Sequence, residues 1–226
     1  MPTKTAMENQ WILKSSVFCL ISGLTNLMSR KLVSAFQLDI HKSWQIRNVF
    51  TSICHSVAVT LLVAYALISR PDLFQDIINK CSGSSHTAVC MTVGYHLWDL
   101  MDVIWNKWNG KWTNLVMVHH CGLFLMMIPA AMSMKMIPFI CIGLVSMAHE
   151  SIFMFTRLMK MLNHTSNWFA KVERWANYTV RFLNWFGLFC WSLLNFHRLP
   201  NGYFIILELG TVMVTPINML DKWHDV

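Results

Sequence analysis

Apolar residues recur in runs of about 20 along nearly the whole chain, near 11–29, 49–69, 86–105, 113–131, 136–157, 175–197 and 202–220. A helix needs ~20 apolar residues to cross a hydrocarbon core, so the pattern predicts an all-α, multi-pass transmembrane bundle of up to seven helices. The first run is the weakest, because Lys14 interrupts it and the purely apolar part around Val17 to Leu20 is brief. It reads as a signal anchor or a retained transmembrane helix, and the lack of a small-x-small site before Arg30-Lys31 favours retention. Between the runs, Arg70-Pro71-Asp72, Asn109-Gly110, Ile137-Pro138 and Pro200-Asn201-Gly202 supply the residues that stop helices. The division expected is an N-terminal helix with a basic linker over 1–40 and one membrane domain over 41–222.

Composition agrees with this picture and removes alternatives. Of 226 residues, 55% are hydrophobic and 13% charged, whereas a soluble domain carries charge on about a quarter of its residues. The net charge of +7 does not point to nucleic acid, because the Lys and Arg are scattered between apolar runs, where they set topology and attract anionic headgroups. Arg30, Lys31, Lys42, Arg47, Lys107, Lys111, Arg157, Lys160, Lys171, Arg174 and Lys222 fall on one side if all seven helices span. The positive-inside rule then places the N-terminus outside or in the lumen. Tryptophans 44, 105, 108, 112, 168, 175 and 223 lie at run ends, where they read as interface anchors. Six of the seven Cys sit in apolar runs and read as small buried residues; Cys81 and Cys90 have the option of pairing on an oxidising side. Met132, Met134 and Met136 read as packing filler rather than a copper site.

Ionisable residues inside the runs change the picture more, since each costs several kcal/mol in a bilayer unless partnered, of order 3 on insertion scales. At 1.5 Å per residue, His55 lies roughly 9 Å in from the basic face and Asp99 at a similar depth. His119, His120, His149 and Glu150 come to roughly 9–11 Å from that face, and Arg181 joins them. Five consecutive predicted helices thus contribute to one polar layer. Tyr95, Asp99 and Asp102 follow an i, i+4, i+7 stripe on the third helix. Three readings of the layer stand open, beside proton or ion passage. It is a satisfied network, pairing Asp99 with a His and Glu150 with Arg181; or a catalytic group, with His119 or His120 as base and Asp99 or Glu150 orienting it; or a metal site. Adjacent histidines on one helix point apart, and no metal or other cofactor is assigned. Glu208, deeper than the rest, has no assigned role.

Several segments carry a family resemblance: Trp44-Gln45-Ile46-Arg47-Asn48 leading to Ser52-Ile53-Cys54-His55-Ser56, then Gly94-Tyr95-His96-Leu97-Trp98-Asp99-Leu100-Met101-Asp102, Val118-His119-His120 and His149-Glu150-Ser151. On these, residues 41–222 resemble a TLC domain, the multi-helix domain shared by translocating-chain-associating membrane proteins and ceramide synthases. With Arg70-Pro71-Asp72-Leu73 and Ile217-Asn218-Met219-Leu220, the chain is most similar to the small branch that regulates plasma-membrane fluidity by limiting incorporation of polyunsaturated acyl chains into phospholipids. The resemblance implies that function, membrane phospholipids as partners, and a plasma-membrane location, with the endoplasmic reticulum as the alternative. Ceramide synthases follow their His-His with a helix bearing three acids, whereas here Glu150 holds the first place, Phe153 the second and Arg157 the last. That departure argues against ceramide synthesis and leaves open another acyl transfer, on His119, His120 and Asp99, from a fatty acyl-CoA.

Overall fold

The computed structural model describes residues 4–34, 36, 39–106, 110–199 and 202–210. Within them the chain is all-α: α1 (Lys4–Ser34), α2 (Ile40–Ser69), α3 (Gly83–Trp105), α4 (Gly110–Ser133), α5 (Ile137–Leu144), α6 (Met147–Met161) and α7 (Asn167–Leu194). Residues 203–210 are helical as well. The Asn109 and Pro200-Asn201 stops, Lys107, Trp108, Lys222, Trp223 and the Ile217-Asn218-Met219-Leu220 run lie outside the described residues, as do the side chains of Lys111 and Trp112.

Local chemistry sets the helix ends. Asp39 caps α2 by accepting the Lys42 N–H at 2.8 Å, Ser82 and Ser85 form a reciprocal capping box on α3, and Ser166 caps α7. After α2, Pro71 opens a 3-10 turn over Pro71–Phe74. There Arg70 donates two hydrogen bonds to Asp72, at 2.9 and 3.0 Å. These, with Lys80 nearby, hold the Asp72 carboxyl down at about 2.

The predicted fifth helix is two helices, α5 and α6, broken at Val145-Ser146. Carbonyls freed by a break inside a membrane need donors. Asn184 of α7 supplies them, its side-chain amide donating to Gly143 O at 2.7 Å and Ile142 O at 3.3 Å. As a result His149 and Glu150 sit in the first turn of α6, where a carboxylate faces the positive end of the helix dipole.

α3 is the central element, packed against α1, α2, α4 and α5, while α6 lies between α2 and α7. The α1–α3 seam is close because Gly94 has no side chain: a Cβ there would lie 2.3 Å from Ser15 O and 2.9 Å from Cys19 N. The apolar core fills one half of the bundle, from Val59 and Val63 of α2, Val89 and Val93 of α3, Met127 and Ala130 of α4, and Ile137 to Leu144 of α5. The outer surface is apolar as well, with Leu20, Met28, Leu61 and Ile68 exposed, as a lipid-facing wall requires.

Among the described residues, three stretches are long and apolar enough to span by composition alone: Asn9–Lys31, Lys42–Ser69 and Ile137–Met161. α3 and α7 are long enough, at 23 and 28 residues, but carry the charged residues of the polar layer, which lowers their apolar content. The protein is an all-α, multi-pass membrane bundle.

Three readings from the sequence need correction. Trp44 is not an interface anchor: it is 3% exposed, and its indole N–H donates to Asp102 at 2.7 Å. Cys54 and Cys121 are exposed rather than buried, and all seven cysteines are free, so Cys81 and Cys90 do not pair. Met136, by contrast, is fully buried in the core, and Met132 is exposed.

The turn between α6 and α7 carries the sequon Asn163-His164-Thr165, with Asn163 exposed and left-handed at φ 60°. In the orientation expected from the positive-inside rule this turn is cytoplasmic, so Asn163 is expected to stay unglycosylated. Endoglycosidase treatment checks this. A mobility shift abolished by Asn163→Gln would reverse the orientation.

Candidate functional site

The polar residues occupy the half of the bundle that the apolar core leaves free. On α2 they precede the core positions, on α3 they follow them, and on α4 they precede them again. This alternation brings antiparallel helices to a common level.

α2 and α3 meet as a polar zipper. Trp44 Nε1 donates to Asp102 at 2.7 Å, and Asn48 Nδ2 donates to Asp99 at 2.8 Å and to Asp102 at 3.2 Å. The Ser52 and Tyr95 hydroxyls share a hydrogen bond of 2.6 Å. The His55 ring stacks on Tyr95 with centroids 3.9 Å apart and planes 8° off parallel. Positions 44, 48, 52 and 55 recur at helical spacing and face the 95, 99, 102 stripe in antiparallel register. Asp99 therefore sits in a fixed orientation before any contact with α4 is counted.

α4 adds the histidine pair. His120 Nε2 lies 3.1 Å from Asp99 Oδ2, and His120 is 3% exposed. His96, one residue from Tyr95 on α3, has its ring centroid 4.9 Å from that of His120 and 6.2 Å from that of His119, both edge-on. His119 and His120 meet at 5.7 Å. Three imidazoles and a carboxylate thus line one spot. His55 Nε2, His96 Nδ1 and His119 Nδ1 are buried there without a hydrogen-bond partner among the described residues. Buried ring nitrogens without partners are costly, and they are the groups a bound polar ligand would engage.

α6 and α7 supply the opposing wall. Arg181 Nη2 pairs with Glu150 at 3.0 Å, and Asn177 donates to the same carboxylate at 3.4 Å. Arg181 lies near enough for its charge to act on His96 and His119. His149 is not part of this spot, because its ring turns to Glu173 of α7, with Nε2 3.2 Å from Oε1. Glu208, which had no assigned role, accepts a hydrogen bond from the Ser192 hydroxyl.

The structure thus gathers His55, Tyr95, Asp99, Asp102, His119, His120, Glu150 and Arg181, and sets His149 aside. Sequence reasoning missed His96, Asn48, Trp44, Ser52 and Asn177 as members, and Glu173 as the partner that draws His149 away. The signals were present: His96 lies three residues before Asp99, and Glu173, Asn177 and Arg181 are four apart. Among the described residues, no group of three or more His, Cys, Asp or Glu has an arrangement that would hold a metal ion.

Chemically, the spot offers an imidazole at His120 whose Nε2 lies against the Asp99 carboxylate, a neighbouring imidazole at His119, and a guanidinium, Arg181, whose charge reaches His119 and His96. That combination suits proton transfer to or from a hydroxyl and stabilisation of a nearby oxyanion.

Known proteins are similar to this chain in sequence. Chicken (Gallus gallus) TLC domain-containing protein 1 is 37% identical over 78 residues, covering 34% of this chain and 30% of that protein. Zebrafish (Danio rerio) TLC domain-containing protein 2 is 21% identical over 185 residues, 79% of this chain and 74% of that protein. Its mouse (Mus musculus) namesake is 24% identical over 188 residues, 80% of this chain and 59% of that protein. The match therefore spans less than a third of the chicken protein and under two thirds of the mouse one. No solved structure matches. The TLC-domain family profile matches residues 45–191, a stretch that holds every residue of the polar layer from Asn48 to Arg181, and the chain belongs to the TLC-domain family.

Proposed function

We propose that this protein regulates the acyl composition of membrane phospholipids, limiting incorporation of long-chain polyunsaturated fatty acids and so restraining membrane fluidity at the plasma membrane. The reading rests on family membership together with the resemblance of the Arg70-Pro71-Asp72-Leu73 and Gly94-to-Asp102 segments to the fluidity-regulating branch. The observation that carries it is the convergent polar layer: His55, His96, His119 and His120, with partner-free ring nitrogens on three of them, are enclosed in a bundle whose outer wall is apolar. A polar layer enclosed by an apolar outer wall suits a lipid headgroup or ester linkage better than a water-soluble ligand. The domain acting in this way is 41–222, with 1–40 as its N-terminal helix and linker.

The His120–Asp99 pair at 3.1 Å favours a second reading, an acyl-CoA-dependent lipid acyltransferase. Asp99, fixed by Asn48, orients His120. One of His119 and His120 then takes the proton from a lysophospholipid hydroxyl as the hydroxyl oxygen attacks the thioester carbonyl, and the coenzyme thiol departs as the proton is returned.

Loss of the protein is expected to raise long polyunsaturated chains in phospholipids and to make membranes more fluid. Phospholipid mass spectrometry, with and without the protein during feeding with saturated fatty acid, checks this. Unchanged polyunsaturated content would remove the proposal.

A further inference from the structure

At the basic end of the bundle, on the side of α2 that faces α1, hydrogen-bond donors outnumber the acceptors that receive them. Arg47 Nη1 donates to Asn26 Oδ1 at 3.3 Å. A guanidinium has only donors, so the amide oxygen of Asn26 must face it and the amide nitrogen must face away. Asn26 is 6% exposed, and its Nδ2 is buried with no partner among the described residues. Arg47 Nε is buried and equally without a partner. Arg30, one turn beyond Asn26 on α1, lies close enough for its charge to act against that of Arg47.

The carboxylate near this group does not supply the missing acceptor. Asp102 acts on Arg47 through space, but its oxygens already receive Trp44, Asn48 and Asn106. Two cations acting on each other and two buried, unsatisfied N–H groups on the adjoining side chains Asn26 and Arg47 are unfavourable unless an acceptor with several oxygens and negative charge joins them.

We propose that Asn26, Arg30 and Arg47 form a phosphate-binding site in the α1–α2 seam, filled by the phosphodiester of a membrane phospholipid. Level in the membrane selects the lipid. Arg30 is next to the last residue of the apolar stretch Asn9–Lys31, where headgroups lie, and Asn26 is one turn further in. Arg47 directly precedes Asn48, the residue that holds Asp99 and Asp102, so a lipid anchored here lies beside the polar layer. Asn26 and Arg30 fall outside the segment 45–191 that the family profile matches, so this site is a property of how α1 joins the domain. The inference rests on the lipid-directed function proposed above and names the group by which the lipid is held.

The test is lipid retention by the purified full-length chain in neutral detergent, read by native mass spectrometry. Phosphatidylcholine, phosphatidic acid, diacylglycerol and coenzyme A are added as separate probes. Wild type should retain both phospholipids, and Arg47→Gln should weaken that retention by at least about tenfold, the size of a lost charge-assisted pair. Arg47→Lys, which keeps the charge and loses the fork, and Arg30→Gln, at an exposed position that does not threaten folding, should each weaken it several-fold. Retention of diacylglycerol, which lacks phosphate, should not respond to these changes. Equal phospholipid retention by wild type, Arg30→Gln and Arg47→Gln would overturn the site. Coenzyme A retained with the same arginine dependence, in place of phospholipid, would overturn the lipid assignment and give the phosphate to a soluble donor. No acyl donor is turned over in this experiment, so its failure leaves the histidine layer's role standing, and an inactive layer leaves the site standing.

Discussion

Arg181→Ala is expected to destabilise the protein by about 3–5 kcal/mol, the cost of leaving one member of a buried ion pair uncompensated. Glu150 is 5% exposed, and Arg181 reaches it at 3.0 Å across the α6–α7 seam. Without the guanidinium, the carboxylate keeps a single side-chain donor among the described residues, Asn177, at the long distance of 3.4 Å. The loss should appear as a large drop in melting temperature in detergent and in a reduced yield of folded protein. Glu150→Gln in the same background should recover part of it, because the uncompensated charge is then gone. A cycle over Arg181→Ala, Glu150→Gln and the double variant measures the coupling directly. If the single Arg181→Ala variant melts with wild type, the pair does not hold α6 to α7.

His120→Ala should behave in the opposite way, with a modest stability change and a large functional one. Asp99 does not depend on His120 for its hydrogen bonds, since Asn48 donates to it at 2.8 Å, so removing the ring leaves no bare carboxylate. In the transferase reading, losing a general base lowers turnover by roughly a hundredfold or more. Asp99→Asn should also lower turnover, because an amide does not stabilise the imidazolium that forms. The measurement is acyl transfer to lysophospholipid by purified protein, paired with melting in the same detergent, for wild type, His119→Ala, His120→Ala and Asp99→Asn. Early melting of the His variants, with no transfer by wild type from any acyl-CoA, would remove the transferase reading and leave the regulatory one.

Among the described residues, helix order and approximate bounds were legible because ~20-residue apolar runs have little freedom in a bilayer. Depth was legible for the same reason: a fixed rise per residue put His55, Asp99, His119, His120 and Glu150 at one level, and the structure brings them together with Asp99 facing His120 and Glu150 facing Arg181. Rotation about each helix axis was not legible. His149 and Glu150 are adjacent in sequence, yet one turns to Glu173 and the other to Arg181, and spacing alone does not say which faces inward. The break at Val145-Ser146 was hidden because no Pro or Gly marks those two residues, and the Asn184 amide that satisfies the freed carbonyls comes from another helix. Trp44 was misplaced by its position at a helix end; its partner Asp102 is 58 residues away.

The claim that the polar layer is the working part of a lipid regulator is tested most directly in cells that lack the protein and are fed saturated fatty acid. They are resupplied with wild type or with His120→Ala at matched folded levels, and the acyl chains of phospholipids are measured by mass spectrometry. Wild type should return long polyunsaturated chains to the lower content seen with the native protein, and His120→Ala should leave them raised. Equal restoration by both would show that the protein acts on phospholipid composition without its histidine layer.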